Sequence, residues 1–535
     1  MNELLKKLAE KDILLEVVDG RLRVGTSGGE VDAGLLGEIR ENREQLIGLL
    51  TGKEPIPGRA AGWQTISPAP VAMDYCLSSG QQRIWTLSQL PGGNRAYNMP
   101  GVCILEGVLD QDALEFAFDS LVQRHEILRT FYVMNQEGEV RQVIEPAENI
   151  SFRMGVTVID DENGSEEIVN RHIGIQLETE FDLGSPPLIR VHLYKTGAGK
   201  WILTCIIHHI AGDGWSMQVL IRELLLFYHQ HRTGGKPILP PLSIQYKDYA
   251  SWEQGQVSGP ALARQKEYWR QRIGLGVVPM KLSLRKRPAV FTHAGAAVNY
   301  TIDAATAEGL ASLAARYNGT LFMSLLFFLR LLLWRYTGER KIMMGTSFAG
   351  RSLPELHGQI GLYLNNLPLI GTVDPSFSLR ELFEDVREMV VGALGNQQYP
   401  LDRLLNDIGY KTDPGRTGPF NVFVELHSEN DTSYAGSNAD LRMRPWALPF
   451  YRSQFDVSYS FIPTRRGLEG TIIYSTDLFS EPEIHIMKDR LLGLMNDVLR
   501  DFDGSRRVDD ISFRKFISGS GANAILRDQD LQEAF

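Results

Sequence analysis

The sequence predicts a mixed α/β fold, of the α+β type, in a large main region that follows a smaller N-terminal unit. Three observations predict this arrangement. From residue 73 to about residue 515, apolar runs typical of buried strands alternate with segments of helical spacing. At 535 residues, the chain exceeds the size of one ordinary domain. Residues 53–72 are rich in Pro, Gly and Ala, which is typical of a linker.

The N-terminal unit, residues 1–52, is predicted to have the order helix, hairpin, helix. Residues 13–17 and 22–24 have strand-like apolar patterns and flank Asp19-Gly20, a strong hairpin-turn dipeptide. Leucine-rich segments of helical spacing lie on both sides of this hairpin. About fifty residues bury only a marginal core. We therefore expect a partner that covers part of this unit's surface.

The main region is predicted to consist of two lobes, residues 73–245 and 246–515. A tail of linker and short helix follows at residues 516–535. In chain order, the clearest elements of the main region are helix, strand, strand, helix, helix and strand, at 113–129, 130–133, 201–207, 305–317, 321–336 and 342–346. Alternation of this kind is typical of sheets that are covered by helices.

Composition argues against several classes of protein. The net charge of −10 and the isoelectric point near 5.7 do not fit a nucleic-acid-binding protein, and no long basic run is present. The N-terminus has no uninterrupted apolar segment of signal-peptide type. The most apolar stretch, residues 321–334, is interrupted by Ser324 and Arg330 and is too short to span a bilayer. It is predicted to be a buried core helix.

The three cysteines, Cys76, Cys103 and Cys205, lie far apart in the sequence. None of them belongs to a CxxC motif or to a Cys/His spacing that is typical of zinc ligands. This usage fits the reducing cytosol better than a disulfide-rich secreted protein. The expected location is therefore the cytoplasm, and no metal site is predicted.

The most informative motif of the chain is His208-His209-x-x-x-Asp213-Gly214. An apolar run ends in the two histidines, whose side chains point to opposite faces if the run is a strand. One imidazole can then reach a cleft while the other points into the protein. Histidine has an unperturbed pKa that suits proton transfer near neutral pH. Asp213 could turn back to fix the loop or its histidine, and Gly214 allows a close approach of the backbone.

This motif resembles the HHxxxDG signature of the condensation domains of nonribosomal peptide synthetases and of their acyltransferase relatives. Five further segments resemble sequence blocks of the same family and stand in the family's order. They resemble the blocks SxxQxRxW at 78–85, RHExLRTxF at 124–131, YxDYAxW at 246–252, IGxFVNT at 360–366 and NQxYP at 396–400. Two positions deviate, because Asn366 stands in place of Thr and Gln398 stands where Asp is common.

The resemblance implies a chloramphenicol-acetyltransferase-like fold, with two αβ lobes arranged in a V around a tunnel. It also implies an acyltransferase that forms peptide bonds in nonribosomal peptide synthesis. A donor acyl or aminoacyl thioester and an acceptor aminoacyl thioester would be joined, each held on the 4′-phosphopantetheine arm of a peptidyl carrier protein. Because thioesters are already activated, we expect no covalent enzyme nucleophile and no cofactor bound by this chain itself.

The resemblance also suggests roles for the residues of the histidine motif. His209 corresponds to the histidine that faces the reaction channel, either as a general base or as a hydrogen-bond acceptor that positions the amine. The backbone N–H of Gly214 is a candidate donor to the oxyanion. His208 and Asp213 are expected to hold the loop in shape.

Other residues are expected to support the motif. In the family, the aspartate forms a salt bridge with an arginine, and either Arg124 or Arg129 is the expected partner of Asp213, because an unpaired buried carboxylate is costly. Trp215, Ser347 and Asn365 are candidates for lining the tunnel. Asn365 also fits a scaffold role in a loop beside the cleft.

Residues 1–52 resemble the tubulysin-type docking domains that stand at the front of synthetase subunits. Such a domain receives the C-terminal segment of the upstream subunit. The hairpin is the expected binding edge, either by strand addition or by a helix-in-groove contact. The other implied partners are a donor and an acceptor peptidyl carrier protein. The native polypeptide is expected to continue into an adenylation domain, whereas no nucleic acid or membrane partner is expected.

Two alternatives stay open at the level of the sequence. The same fold could serve as a non-catalytic module that recruits carriers or tailoring enzymes, but such relatives tend to lose the histidine pair, which this chain keeps. A free-standing acyltransferase could use a soluble amine or alcohol as acceptor, but the docking-like N-terminal unit argues against this.

Overall fold

In the computed structural model, the chain divides into two compact units, Met1–Thr65 and Ile66–Phe535. The boundary falls inside the predicted linker of residues 53–72, and Ile66 is already buried in the core of the second unit. The structure describes residues 13–18, 21–26, 39, 65–159, 165–197, 199–235, 239–274, 279–411, 413–427, 436–437, 441–448, 451–500 and 502–511.

In the first unit, the strands β1 (Ile13–Val18) and β2 (Arg21–Thr26) form an antiparallel pair. Ile13 lies opposite Thr26, and Val18 lies opposite Arg21. This pairing confirms the hairpin that the apolar pattern predicts. The two helices predicted for this unit lie outside the described residues, except for Ile39 of the second one, which is helical and buried.

The second unit contains both strands and helices. Its strands are β3 (Tyr75–Cys76), β4 (Asn98–Gly107), β5 (Thr130–Met134), β6 (Val140–Ile144), β7 (Gly155–Val158), β8 (Ile189–Gly197), β9 (Lys200–His208), β10 (Ala294–Asp303), β11 (Lys341–Phe348), β12 (Asn365–Thr372), β13 (Val422–Leu426), β14 (Gly436–Ser437), β15 (Leu441–Pro445), β16 (Tyr451–Arg452), β17 (Val457–Thr464) and β18 (Gly467–Ser475). Its helices are α1 (Ser79–Ser88), α2 (Gly93–Ala96), α3 (Gln111–Arg124), α4 (Ser165–Glu178), α5 (Gly214–Thr233), α6 (Tyr246–Ser258), α7 (Ala263–Ile273), α8 (Ala304–Arg316), α9 (Leu321–Thr337), α10 (Leu379–Gly395), α11 (Leu401–Asp407) and α12 (Glu481–Arg500).

One large sheet has the strand order β14-β15-β4-β9-β8-β7, and a small sheet has the order β3-β6-β5. β9 is a central strand of the large sheet, because β4 and β8 pair with it antiparallel on either side. Its residues from 201 to 208 are buried. A strand that is buried on both faces has a continuous apolar sequence instead of an alternating one. This confirms the strand predicted at 201–207 and explains its composition.

The helix predicted at 113–129 is shorter in the structure. α3 ends at Arg124, His125 has an extended backbone (φ −100°, ψ 103°), and a 3₁₀ turn follows at Glu126–Arg129. The buried His125 ring lies beside α5, with its Nε2 2.8 Å from a carboxylate oxygen of Glu223. A tertiary contact at this position therefore accompanies the break in a segment whose local sequence favours one continuous helix.

The second large sheet has the order β12-β11-β13-β17-β18-β10-β16. α9 is buried over most of its length, which confirms the predicted core helix, and its buried Arg330 pairs with Asp385 at 2.7 Å. Among the residues that the structure describes, no single helix is long and apolar enough to cross a membrane. α8 and α9 taken together, with a bend of 102° between them, do meet the requirement of length and composition.

One segment crosses from the second sheet to the first. Along the chain, β15 follows β13 of the second sheet, yet it pairs antiparallel with β4 of the first sheet, with Leu441 opposite Gly107 and Met443 opposite Leu105. The predicted second lobe, residues 246–515, therefore contributes to the sheet of the first. β15 covers the edge of β4 that would otherwise expose unpaired backbone groups.

This crossover generates a prediction about stability. Met443 is buried on β15, whereas its neighbour Arg442 is exposed. Replacement of Met443 by Ala should lower the free energy of unfolding by about 2–4 kcal/mol, because a buried side chain is truncated. The matched variant Arg442→Ala should stay within about 0.5 kcal/mol of the wild type. Urea unfolding of the full chain measures both values, and equal stabilities of the two variants would contradict the packing of β15 against the first sheet.

Candidate active site

The two histidines of the motif stand at the carboxyl end of the central strand of the first sheet. His208 is the last residue of β9, and His209 begins a 3₁₀ turn, His209–Ala211. The His208 side chain is fully buried, and its Nδ1 accepts a hydrogen bond from the backbone N–H of Ile210 at 3.3 Å. Burial, followed by the neighbouring His209, lowers the pKa of His208 to about 3. His208 is therefore a neutral structural residue of the loop.

His209 is partly buried and held by backbone groups on both sides. Its N–H donates to the carbonyl oxygen of Tyr97 at 2.8 Å, and its Nδ1 lies 2.8 Å from the carbonyl oxygen of Gly212. A carbonyl can only accept, so Nδ1 carries the proton and the lone pair of the neutral imidazole is on Nε2. Burial lowers the pKa of His209, although backbone carbonyls and Asp213 oppose this effect. The ring is thus a neutral hydrogen-bond acceptor near neutral pH.

Asp213 caps the helix that follows the motif. It is the N-cap residue of α5, and its buried Oδ1 accepts hydrogen bonds from the N–H and the hydroxyl of Ser216, at 2.8 and 2.7 Å. Its Oδ2 accepts from the backbone N–H of Tyr363 at 3.1 Å. A carboxylate at this position satisfies N–H groups that have no acceptor within the helix. These contacts agree with the structural role that is expected for Asp213.

The salt-bridge partner of Asp213 is Arg351. The prediction that Arg124 or Arg129 has this role is therefore wrong. Arg351 Nη2 lies 3.0 Å from Asp213 Oδ1, and the two side chains are 1% and 2% exposed. Arg124 instead pairs with Glu223, with 3.1 Å between Nε and Oε2. Arg129 donates to the backbone carbonyl of residue 145 at 2.7 Å.

Arg351 follows β11 of the second sheet, a long way from Asp213 in sequence. Its Nη1 donates to the carbonyl oxygen of Gln359 at 2.8 Å, and its guanidinium carbon lies 4.2 Å from the centre of the Tyr363 ring. The guanidinium is thus fixed by carbonyls, an aromatic face and the carboxylate together. The Gly350-Arg351 dipeptide has no motif of its own in the sequence, so only the fold identifies it.

The other predicted site residues lie near the motif or near its supports. Gly214 is the first residue of α5, where N–H groups have no intrahelical acceptor. A side chain added at Gly214 would meet no heavy atom within 4 Å, so the space beside its backbone is open. The Trp215 indole donates to the carbonyl oxygen of His357 at 3.0 Å. Ser347 Oγ donates to Glu425 at 2.7 Å.

Asn365 serves the NQxYP segment. Its amide nitrogen donates to the carbonyl oxygens of Gln397 and Tyr399 at 2.8 and 2.9 Å, and its Oδ1 accepts from the N–H of Leu401 at 3.1 Å. These contacts support the scaffold role that the sequence left open. The lining of a tunnel by Trp215, Ser347 and Asn365 stays a prediction.

Sequence reasoning missed further residues beside His209. The buried Tyr97 places its ring centre 6.2 Å from that of His209 and 6.4 Å from that of His208. Arg83 of α1 and Asp402 of α11 form an ion pair, with 3.7 Å between Nε and Oδ1. Of Tyr97, Arg83 and Asp402, only Arg83 lies in a recognised motif, the SxxQxRxW block. This block did not indicate a role for its arginine.

Together, these groups can support acyl transfer. A neutral imidazole with its lone pair on Nε2 can accept a proton or a hydrogen bond from an attacking group. The first turn of α5 presents N–H groups next to open space, where they can stabilise developing negative charge. The Asp213–Arg351 ion pair fixes the loop that joins His209 to the first turn of α5.

The Asp213–Arg351 pair generates a prediction for a double-mutant cycle. Asp213→Asn and Arg351→Met should each be strongly destabilising, by about 3–5 kcal/mol, because each leaves a buried charge without its partner. The loss of unfolding free energy in the double variant should differ from the sum of the two single losses by at least about 1 kcal/mol. The matched cycle of Asp213→Asn with Arg124→Met should be additive within about 0.5 kcal/mol. Additivity in the first cycle would contradict the ion pair.

Solved structures share this fold at low sequence identity. The X-domain from teicoplanin biosynthesis matches with a TM-score of 0.77 at 24% identity, over 84% of this chain and 100% of that chain. A four-domain nonribosomal peptide synthetase bound to AMP and glycine matches with a TM-score of 0.71 at 20% identity, over 85% of this chain and 35% of that chain. The first condensation domain of the calcium-dependent antibiotic synthetase matches with a TM-score of 0.67 at 18% identity, over 82% of this chain and 99% of that chain. These likenesses confirm the predicted fold class.

Curated relatives match at higher identity. Tyrocidine synthase 3 from Brevibacillus parabrevis is 32% identical over 445 residues, which cover 82% of this chain and 7% of the relative. Bacitracin synthase 3 from Bacillus licheniformis is 32% identical over 445 residues, which cover 82% of this chain and 7% of the relative. Gramicidin S synthase 2 from Aneurinibacillus migulanus is 30% identical over 444 residues, which cover 83% of this chain and 10% of the relative. The chain thus spans a small part of these relatives.

The family model described as the condensation domain matches residues 71–511, which include the histidine motif and both large sheets. Its range also covers the five further sequence blocks from 78 to 400. The chain therefore belongs to the condensation-domain family of nonribosomal peptide synthetases.

Proposed function

We propose that this chain forms an amide bond between a donor acyl or aminoacyl thioester and an acceptor aminoacyl thioester in nonribosomal peptide synthesis. Both substrates would be carried on the phosphopantetheine arms of peptidyl carrier proteins. The observation that carries this proposal is the geometry of His209 in a member of the condensation-domain family. The hydrogen bond between its Nδ1 and the Gly212 carbonyl leaves Nε2 as the acceptor that the reaction needs.

The proposed reaction is an exchange at the carbonyl carbon of the donor. The acceptor amine forms the new C–N bond, the carbonyl oxygen becomes an oxyanion, and collapse of the tetrahedral intermediate breaks the C–S bond. His209 Nε2 accepts the amine proton or a hydrogen bond from the amine, and the departing thiolate finally takes up the proton that the amine has lost. The Gly214 N–H is the proposed oxyanion donor. Holding two tethered substrates close together supplies much of the remaining acceleration.

A transfer assay tests this proposal. Donor and acceptor carriers are loaded with aminoacyl thioesters, and intact-protein mass spectrometry follows the mass of the acceptor carrier. His209→Ala should lower the rate by at least about 100-fold, because proton transfer by a positioned group contributes that much. The exposed His229, on α5, gives the matched control His229→Ala, which should keep the wild-type rate. Equal rates of the two variants would contradict the role of His209.

The second candidate is a module that recruits partners without catalysis. It is favoured by the similarity in fold to the teicoplanin X-domain, which a solved structure shows in complex with OxyB. In the same assay, binding of carriers without transfer across several donors would support recruitment. Amide formation with a free amine, but not with a loaded acceptor carrier, would instead support an acyltransferase that uses a soluble acceptor.

We further propose that residues 1–52 dock the C-terminal segment of an upstream synthetase subunit. The β1–β2 hairpin supports this, because among the described residues no further strand pairs with it, and a peptide strand can be added to such an edge. Carrier and adenylation partners of the same assembly are proposed as well, supported by the four-domain synthetase that shares the fold. The pattern of the three free cysteines supports a cytoplasmic location.

Deletion of residues 1–52 tests the docking proposal. C-terminal peptides of synthetase subunits from the source strain serve as probes, and their binding is measured by fluorescence anisotropy. At least one peptide should bind the full chain with micromolar affinity and bind the deletion variant at least about tenfold more weakly, as is typical of strand addition to an exposed edge. Transfer from a donor carrier that lacks such a segment should be unchanged. Equal binding to both chains would contradict docking through this unit.

A further inference from the structure

The ion pair of Arg83 and Asp402 is not used in the mechanism above. The two side chains are 17% and 25% exposed, and their nearest charged atoms lie 3.7 Å apart. This distance is too long for a hydrogen bond. Within the part of the chain that the structure describes, no hydrogen-bond acceptor is found for the Arg83 guanidinium, which carries five N–H donors. A largely buried guanidinium of this kind can donate hydrogen bonds to an oxygen atom of a ligand.

Arg83 is close to the reacting histidine. α1 packs against the turn His209–Ala211, and Gln81 of α1 donates at 2.9 Å to the Tyr132 hydroxyl, which reaches the carbonyl oxygen of Ile210 at 3.5 Å. Burial lowers the pKa of His209 most, whereas backbone hydrogen bonds and Asp213 raise it. The positive charge of Arg83 also lowers this pKa. Burial raises the pKa of Tyr97, and the charges of Arg83 and Asp402 act on it in opposite directions. Because the Tyr97 ring centre lies 6.2 Å from that of His209, the ion pair belongs to the surroundings of this histidine.

Among the described elements, three pack against α11, namely α1, α7 and β12, and β12 carries no charged side chain. α1 contributes Arg83, and α7 contributes Lys266, which pairs at 3.0 Å with Asp407. Burial raises the pKa of Asp402 to about 6, and Arg83 opposes this rise. Glu253 of α6 is also buried, and its pKa is raised to about 7, mainly by burial. Above pH 7, Asp402 is thus an anion that holds Arg83.

We propose that Arg83 donates a charge-assisted hydrogen bond to the carbonyl oxygen of the donor thioester, with Asp402 as the positioning residue that holds the guanidinium. This inference rests on the proposed function of amide formation. As the C–N bond forms, the π electrons of the carbonyl move to its oxygen, and the positive charge of Arg83 stabilises the oxyanion. As the C–S bond breaks, the carbonyl is restored and the thiolate takes up the proton that His209 received. Arg83 keeps its own protons throughout.

Substitutions of Arg83 test the proposal through the split between kcat and KM. Loss of an interaction that strengthens in the transition state lowers kcat and kcat/KM together and leaves KM unchanged. Arg83→Gln should lower kcat by about 100-fold, as the loss of one oxyanion donor does elsewhere. Arg83→Lys keeps the charge and should recover at least about tenfold of this loss. The exposed Arg466, in the turn between β17 and β18, gives the matched control Arg466→Gln, which should behave like the wild type.

Asp402→Asn adds a readout that a merely structural role would not move. Above pH 7, kcat should fall by about tenfold, because the guanidinium loses its charged partner and its position. Asp402 becomes neutral as the pH drops through its pKa of about 6, and then it resembles Asn. The ratio of wild-type to variant kcat should therefore approach one at pH 5. A ratio that is constant from pH 5 to 8 would contradict the positioning role.

Four further results distinguish failure of this inference from failure of the proposed function. A kcat of Arg83→Gln within about threefold of the wild type would overturn the inference, since a lost donor costs far more than that. A loss confined to KM, or to the affinity for loaded carriers measured by fluorescence anisotropy, would also overturn it. Unchanged melting temperatures of both Arg83 variants are expected, and they identify the loss as one of catalysis. If the wild type itself forms no amide with any donor, the proposed function fails first, and the inference fails with it.

Discussion

The ion pair of Asp213 and Arg351 connects the histidine motif to the rest of the second unit. Two charges that are almost completely removed from water are costly unless hydrogen bonds satisfy them. Here Ser216, the Tyr363 backbone and the Gln359 carbonyl supply those bonds. The start of α5 is thereby fixed to the segment that follows β11 of the other large sheet. The geometry of the loop between β9 and α5 depends on this contact.

The state of His209 follows from that loop. The Gly212 carbonyl accepts from Nδ1, so the ring orientation and the position of the lone pair are set by backbone that Asp213 holds. Burial disfavours the imidazolium and lowers its pKa. These two effects act together, because a neutral ring with Nε2 unprotonated is the form that can accept a proton. Asp213 therefore influences His209 both by capping the helix that follows the loop and through its charge.

The candidate site draws on chain segments that are far apart in sequence. The crossover of β15 to β4, the Asp213–Arg351 pair and the Arg83–Asp402 pair each join residues that are more than one hundred positions apart. A change in the packing between the two sheets would alter several of these contacts at once.

The local features of this protein could be predicted from its amino-acid sequence. The apolar run of β9 and its two terminal histidines predicted a buried strand that delivers an imidazole, and Asp19-Gly20 predicted the β1–β2 hairpin. Such features depend on neighbours within a few residues, where periodicity and turn chemistry act. Only the tertiary structure decided that Arg351, and neither Arg124 nor Arg129, binds Asp213, and that β15 joins the first sheet. A charge can pair with any opposite charge that the fold brings near it, and local sequence patterns carry no information about that distance.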